Sequence, residues 1–198
     1  MSLFITFEGG DGVGKSTQVE LLRAALSDRS PLVLREPGGT PLGEQVRELL
    51  LYGGSMSAEA EMLLFMAARA ELLAVLIRPA LEAGRIVIAD RYHDSTLAYQ
   101  GGGRGVETWW PADFPRPDRT FLLRLPSAEA GFERMRGAGK AADRLESAGS
   151  DFHLRVLREY DHLAAGEPSR WVVLDAERPP LEVHAGVMAA LESLLAPV

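Results

Sequence analysis

Residues Gly9-Gly10-Asp11-Gly12-Val13-Gly14-Lys15-Ser16 set a lysine and a hydroxyl directly after a run of glycines. The spacing is G-x-x-x-x-G-K-[ST], and each residue type in it has a physical use. Glycines let the backbone turn sharply and aim successive N–H groups into one concavity. A helix beginning at Lys15 would add roughly +0.5 of an elementary charge facing the same point. Lys15 would then reach the β- and γ-phosphates of a bound triphosphate, and the Ser16 hydroxyl would ligate Mg²⁺. The stretch from Gly9 to Thr17 as a whole would form the cradle. A glycine-rich turn without a ligand would share the composition, so the flanks decide. Before the loop, Leu3-Phe4-Ile5-Thr6-Phe7 reads as a strand; after it, Val19, Leu21, Leu22 and Leu26 suit one helix face. Strand, loop and helix in that order make a P-loop that binds a nucleoside triphosphate.

A second chemical feature is the acid that ends Arg85-Ile86-Val87-Ile88-Ala89-Asp90. The apolar run reads as a parallel strand buried on both faces. Asp90 at its carboxyl end suits an acid that holds Mg²⁺ near the phosphates, or one that caps the following turn; a P-loop in the same chain favours the metal. The four histidines, His93, His153, His162 and His184, are scattered without ligand spacing and read as surface or core residues. Nothing resembles an Asn-Lys-x-Asp guanine-reading motif, which argues against a GTPase.

The elements that must position these residues alternate in type. Apolar strands are expected at Leu3–Phe7, Pro31–Leu34, Arg85–Asp90, Thr120–Leu125 and Trp171–Leu174. Helices are expected at about 15–26, 42–51, 58–76, 128–136, 152–164 and 181–195, with helix material from Ser95 and a flexible Gly101-Gly102-Gly103. Five strands alternating with helices predict an α/β fold of three layers, a five-stranded parallel sheet between helices. With 198 residues and no linker or repeat, the chain is read as a single domain, 1–198. A net charge of −7 argues against nucleic acid or an anionic membrane as partner. The absence of cysteine removes disulfides and thiolate chemistry. With no signal peptide and no apolar run approaching ~18 residues, a cytoplasmic protein is expected. The chain carries two lysines, Lys15 and Lys140, against 19 arginines. A lysine kept where arginine is otherwise preferred points to a need for a compact ammonium, strongly at 15 and more weakly at 140.

Beyond the P-loop, Arg35-Glu36-Pro37-Gly38-Gly39-Thr40 forms a breaker-rich loop. Leu64-Phe65 with Arg69, Asp90-Arg91-Tyr92, Ser95 through Ala98-Tyr99-Gln100-Gly101, Pro117-Asp118 and Asp143-Arg144-Leu145-Glu146 follow in order. This ordered set, with Phe7-Glu8-Gly9 ahead of the P-loop, resembles thymidylate kinase, one of the P-loop nucleoside monophosphate kinases, over nearly the whole chain. The resemblance implies phosphoryl transfer from ATP to dTMP with Mg²⁺, in a homodimer. It gives Phe65 a stacking role on thymine and Arg69 a hydrogen bond to the base carbonyl. From the helix alone, Phe65 fits a core stripe with Met62, Leu72 and Leu73, and Arg69 a solvated position. The resemblance also implies that Arg91 clamps the acceptor phosphate, that Asp11 meets the sugar 3′-OH and that Tyr99 crowds the 2′ position. Thr96 falls at the thymine N3 edge, and Gln100, Arg35 and Pro37 line the same pocket. Residues 134–146 resemble the mobile lid. Because Gly10, Asp11, Gly12 and Val13 are not basic, the cation on the transferred phosphoryl group is expected from the lid: Arg136, Lys140 or Arg144. Arg124 departs from the family, which often has an acid there. A kinase of another small acceptor, or a nucleotide-dependent switch, are the other readings.

Overall fold

The computed structural model describes residues 2–137, 139 and 143–196. Five strands, β1 (Leu3–Glu8), β2 (Leu32–Arg35), β3 (Ile86–Asp90), β4 (Arg119–Arg124) and β5 (Trp171–Asp175), form one sheet in the order β2-β3-β1-β4-β5. Every pairing is parallel, so each connection must cross over, and helices do so. These are α1 (Lys15–Ala25), α2 (Pro41–Tyr52), α3 (Ala58–Leu72), α4 (Arg78–Glu82), α5 (His93–Thr96), α6 (Ala128–Gly137), α7 (Ser150–Gly166) and α8 (Pro180–Leu195). The three-layer α/β architecture expected from the alternation is the one observed. Among the described residues no helix is long and apolar enough to cross a membrane.

β1 sits in the middle of the sheet, with β3 on one side and β4 on the other. The chain therefore leaves it in opposite directions and opens a crevice at its carboxyl end, where ligands of open α/β sheets bind. Alternation along β1 sorts its residues between two cores. Leu3, Ile5 and Phe7 pack with Val19 and Leu22 from α1, Leu26 directly after it, and Val187 and Leu191 from α8. Phe4 packs on the other face with Leu72, Leu73 and Tyr92. On that second face Thr6 and Glu8 follow Phe4, both fully buried, so polarity rises towards the crevice. The Thr6 hydroxyl is satisfied by Thr120 at 2.9 Å.

Two widened turns were not visible in the periodicity. α3 runs into a π-helical segment, Leu73–Ile77, before α4. In a regular α-helix the ring of Pro79 would meet the Val75 carbonyl, and the wider turn falls just ahead of it. A second π segment, Leu97–Gly103, extends α5. The triple glycine expected to be flexible is thus helical. A Cβ at Gly103 would lie 2.5 Å from the Phe152 ring, so glycine there lets α7 pack close.

Candidate active site

The phosphate end of the site is set by how β1 hands the chain to α1. Gly12, with φ 71°, lies against the start of α6: a Cβ on Gly12 would collide with the Gly131 carbonyl, and one on Gly131 with that of Asp11. Two missing side chains let loop and helix meet backbone to backbone. Lys15 folds over the loop and donates to the Gly10 carbonyl at 2.7 Å, encircling the space a phosphate would fill. Burial, together with Arg91, pushes the Lys15 ammonium down to about 8 against the pull of Asp90, Asp11 and Glu8. Bound phosphate charge would reverse that shift. The Ser16 hydroxyl donates to Asp90 Oδ2 at 2.7 Å. No group of three or more His, Cys, Asp or Glu side chains placed to hold a metal occurs among the described residues. One hydroxyl and one carboxylate fit Mg²⁺, which takes few protein ligands and keeps phosphate and water oxygens for the rest.

Arg91 follows Asp90 with φ 71°, a left-handed conformation that costs a non-glycine residue about 1–2 kcal/mol. Its guanidinium is held from several sides. Nη2 donates to Asp11 at 2.7 Å and to the Tyr99 hydroxyl at 3.1 Å. Nη1 donates to the Gly9 carbonyl at 2.9 Å and to Ser95 and Tyr160, each at 3.2 Å. Tyr99 in turn donates to Asp11 Oδ2 at 2.9 Å. Burial alone would raise the Asp11 carboxyl, but Arg91 and Lys15 outweigh it and hold it below the ordinary value. Asp11 therefore ties the P-loop to Arg91 and Tyr99. Below them Glu8 accepts from the Tyr92 peptide at 2.8 Å, Ser95 at 2.6 Å and Tyr160 at 2.9 Å. Burial and Asp94 push its carboxyl up to about 7.

At the other end, Phe65 and Arg69 share a face of α3 as their four-residue spacing requires. Phe65 is half-buried against Val46, Leu50 and Ala68 and still borders the cavity. Arg69 is not solvated: it is 1% exposed, with Nε donating to Glu36 at 2.7 Å, Nη1 to Thr96 at 2.8 Å and Nη2 to the Tyr92 carbonyl at 3.1 Å. Burial raises the Glu36 carboxyl while Arg69 opposes it. Gln100 donates to Glu61 at 2.9 Å. Arg35 stands at the rim, paired with Glu44 at 3.1 Å, and the buried Pro37 carbonyl accepts from Arg47 at 2.8 Å. A single cavity of about 320 Å³ is bordered by Lys15, Ser16 and Asp90 at one end and by Phe65, Arg69 and Gln100 at the other, with Asp11, Arg91, Thr96 and Tyr99 between.

The lid candidates separate. Arg144 does not border this cavity. Its Nε donates to the Leu50 carbonyl at 2.8 Å and its Nη1 to the buried Glu61 at 2.7 Å, beside Arg104 on the same carboxylate. It ties this segment to α2 and α3 instead. Arg136 is exposed in the last turn of α6. Lys140 lies outside the described residues. Arg124, whose role the sequence left open, pairs with Asp161 at 2.9 Å on the surface. Sequence reading passed over Arg47, which borders the cavity, and Tyr160; it held Glu36, Ser95 and Glu8 only as motif residues without a role. Arg47 had a signal: it lies four residues from both Gly43 and Leu51, on the buried face of α2. Tyr160 had none, because a tyrosine on an apolar helix face looks like core.

A model of the family described as thymidylate kinase matches residues 7–187. A thymidylate kinase of Thermomicrobium roseum is 49% identical over 204 residues, covering 98% of this chain and 97% of that one. One of Bifidobacterium longum subsp. infantis is 47% identical over 207 residues, with 98% and 87% covered. The crystal structure of thymidylate kinase from Ehrlichia chaffeensis superposes with a TM-score of 0.75 at 33% identity, covering 96% of this chain and 98% of that one.

Proposed function

The chain belongs to the thymidylate kinase family, and on that basis we propose how its residues divide the work of phosphorylating dTMP. The reaction moves the γ-phosphoryl group of ATP to the 5′-phosphate of dTMP. An acceptor phosphate oxygen forms the new P–O bond as the bond to the β–γ bridging oxygen breaks, and ADP leaves with that electron pair. The attacking oxygen is already anionic, so no strong general base is needed. Catalysis then consists of in-line positioning and cations on the equatorial oxygens.

Lys15 and the backbone from Gly9 to Thr17 hold the donor phosphates. Ser16 and Asp90 would hold Mg²⁺, which would supply positive charge to offset that of the phosphates. Arg91 holds the acceptor phosphate, and Asp11 and Tyr99 hold the deoxyribose. Phe65 stacks on the base, a contact worth roughly 1–3 kcal/mol. Arg69, Thr96 and Gln100 present polar groups to its edge, and Arg35 and Pro37 close the rim. Adenine lies near Asp175-Ala176-Glu177-Arg178, where Arg134 donates to the Ala176 carbonyl at 2.9 Å. A homodimer in the cytoplasm completes the reading.

The observation that carries this assignment is the single cavity joining the P-loop lysine to the Phe65–Arg69 pair. A coupled ADP-release assay over dTMP, dUMP, dCMP, AMP and shikimate tests it. Fastest turnover is expected with dTMP, and equal turnover with dCMP, AMP or shikimate would overturn it. Light scattering in solution tests the dimer.

A further inference from the structure

Glu8 lies beneath the site and takes no part in the transfer described above. It is fully buried, on the sheet face that also carries Phe4 and Thr6. Its Oε2 accepts the hydroxyl protons of Ser95 at 2.6 Å and Tyr160 at 2.9 Å. The same two hydroxyl oxygens accept from Arg91 Nη1, each at 3.2 Å. A hydroxyl has one proton and two lone pairs. Once the proton goes to a carboxylate, only lone pairs remain to face the guanidinium. Arg91 can only donate, so both hydroxyls must meet it as acceptors; Glu8, by taking hydroxyl protons, turns their lone pairs towards the guanidinium, and the two hydroxyls lie 2.9 Å from each other. Its other oxygen, Oε1, takes the peptide N–H of Tyr92 at 2.8 Å, the peptide that directly follows Arg91 and its left-handed backbone.

We propose that Glu8 is a positioning residue for the acceptor-phosphate clamp, fixing both the backbone of Arg91 and the plane of its guanidinium through Ser95, Tyr160 and the Tyr92 peptide. The proposal rests on the reading of Arg91 as the group that holds the acceptor phosphate. A carboxylate kept only for packing would be an expensive choice at a fully buried position, because desolvation penalises its charge. The surroundings show how that charge is balanced. Arg91 and Lys15 face it as cations, Asp94 opposes it as an anion, and Ser95 and Tyr160 face it as hydroxyls. Burial and Asp94 push the carboxyl up to about 7, with Arg91 and the two hydroxyls pulling against them. The ionised, ordering form therefore dominates on the alkaline side of neutrality.

The test is steady-state kinetics with Mg·ATP and dTMP for the wild type, Glu8→Gln, Tyr160→Phe and the double variant, with thermal melts to show that each is folded. At pH 8, Glu8→Gln is expected to raise the dTMP KM roughly tenfold while the ATP KM stays within about twofold. Tyr160→Phe should move the same constant in the same direction by less. The double variant should be no worse than Glu8→Gln, because both act on one guanidinium. The ratio of wild-type to Glu8→Gln kcat/KM should shrink towards pH 6, a comparison in which the ionisation of the substrate phosphate cancels. An unchanged dTMP KM, an equal rise in both KM values, additive losses or a pH-independent ratio would each overturn the proposal. If Glu8→Gln does not fold, Tyr160→Phe and Ser95→Ala decide, and wild-type dTMP KM in both overturns it. If the wild type turns over a different acceptor, the substrate assignment fails, and the KM of that acceptor in the same variants still decides the role of Glu8.

Discussion

At the scale of single residues, Arg91 concentrates the chemistry. Its backbone is strained, and its side chain meets Asp11, Tyr99, Ser95, Tyr160 and the Gly9 carbonyl. Arg91→Ala is expected to lower kcat/KM for dTMP by about 10²–10³-fold while the ATP KM changes little, measured in the ADP-release assay. Glu8 adds a pH signature to stability. Its carboxyl is raised from the ordinary 4.5 to about 7, so the folded chain keeps a proton that the unfolded chain has released. The contribution of Glu8 to stability is therefore greatest below about 4.5 and falls as pH rises towards about 7. At about 1.4 kcal/mol per pKa unit, the window is worth on the order of 3 kcal/mol. Urea unfolding at pH 5 and pH 8 should show Glu8→Gln gaining on the wild type by that order between the two. A constant difference would mean that Glu8 titrates normally. The P-loop, Asp90 and Arg91 were legible in the sequence because their chemistry is local. Glu8 was legible only as part of a family motif, because its partners Ser95 and Tyr160 come from distant helices.

At the scale of elements, α3 does two jobs on two faces. Phe65 borders the cavity, while Glu61 in the first turn is 1% exposed and accepts from Gln100, Arg104 and Arg144. That carboxylate joins Gln100, at the Phe65 end of the cavity, to Arg144. Removing it leaves the buried Gln100 amide and the partly exposed Arg104 and Arg144 without their acceptor, so Glu61→Ala should destabilise the fold by about 1–3 kcal/mol in urea titration. With Arg144 committed to Glu61, the cation for the transferred phosphoryl group is sought at Arg136 and Lys140. Alanine at Lys140 should lower kcat far more than it raises the dTMP KM, and an unchanged kcat would leave Arg136. Periodicity revealed the five strands and most helix bounds because apolar spacing reports burial directly. It did not reveal the π segments at Leu73–Ile77 and Leu97–Gly103, where hydrogen-bond register changes while the apolar pattern continues. Nor did it show that Arg69 is buried: an arginine on a helix reads as solvated until a partner such as Glu36, far away in sequence, is brought to it.

At the scale of the molecule, both ends of the cavity depend on one sheet. Ligands that bind only the folded chain should stabilise it: dTMP at about 100 times its Kd adds about 2.7 kcal/mol. For a domain of this size that is a melting shift of roughly 5–10 °C, measurable by calorimetry. No shift with dTMP would contradict its binding. The central place of β1 has a further consequence, for the order of synthesis. The strand that leads into the P-loop leaves the ribosome well before its two neighbours, β3 and β4, which begin only at Ile86 and Arg119. Gly12 then waits for its contact with Gly131. A nascent chain that stops before Arg119 carries every letter of the nucleotide-binding motif but lacks the sheet centre and the helix contact that shape it. The motif is made long before it can become a site.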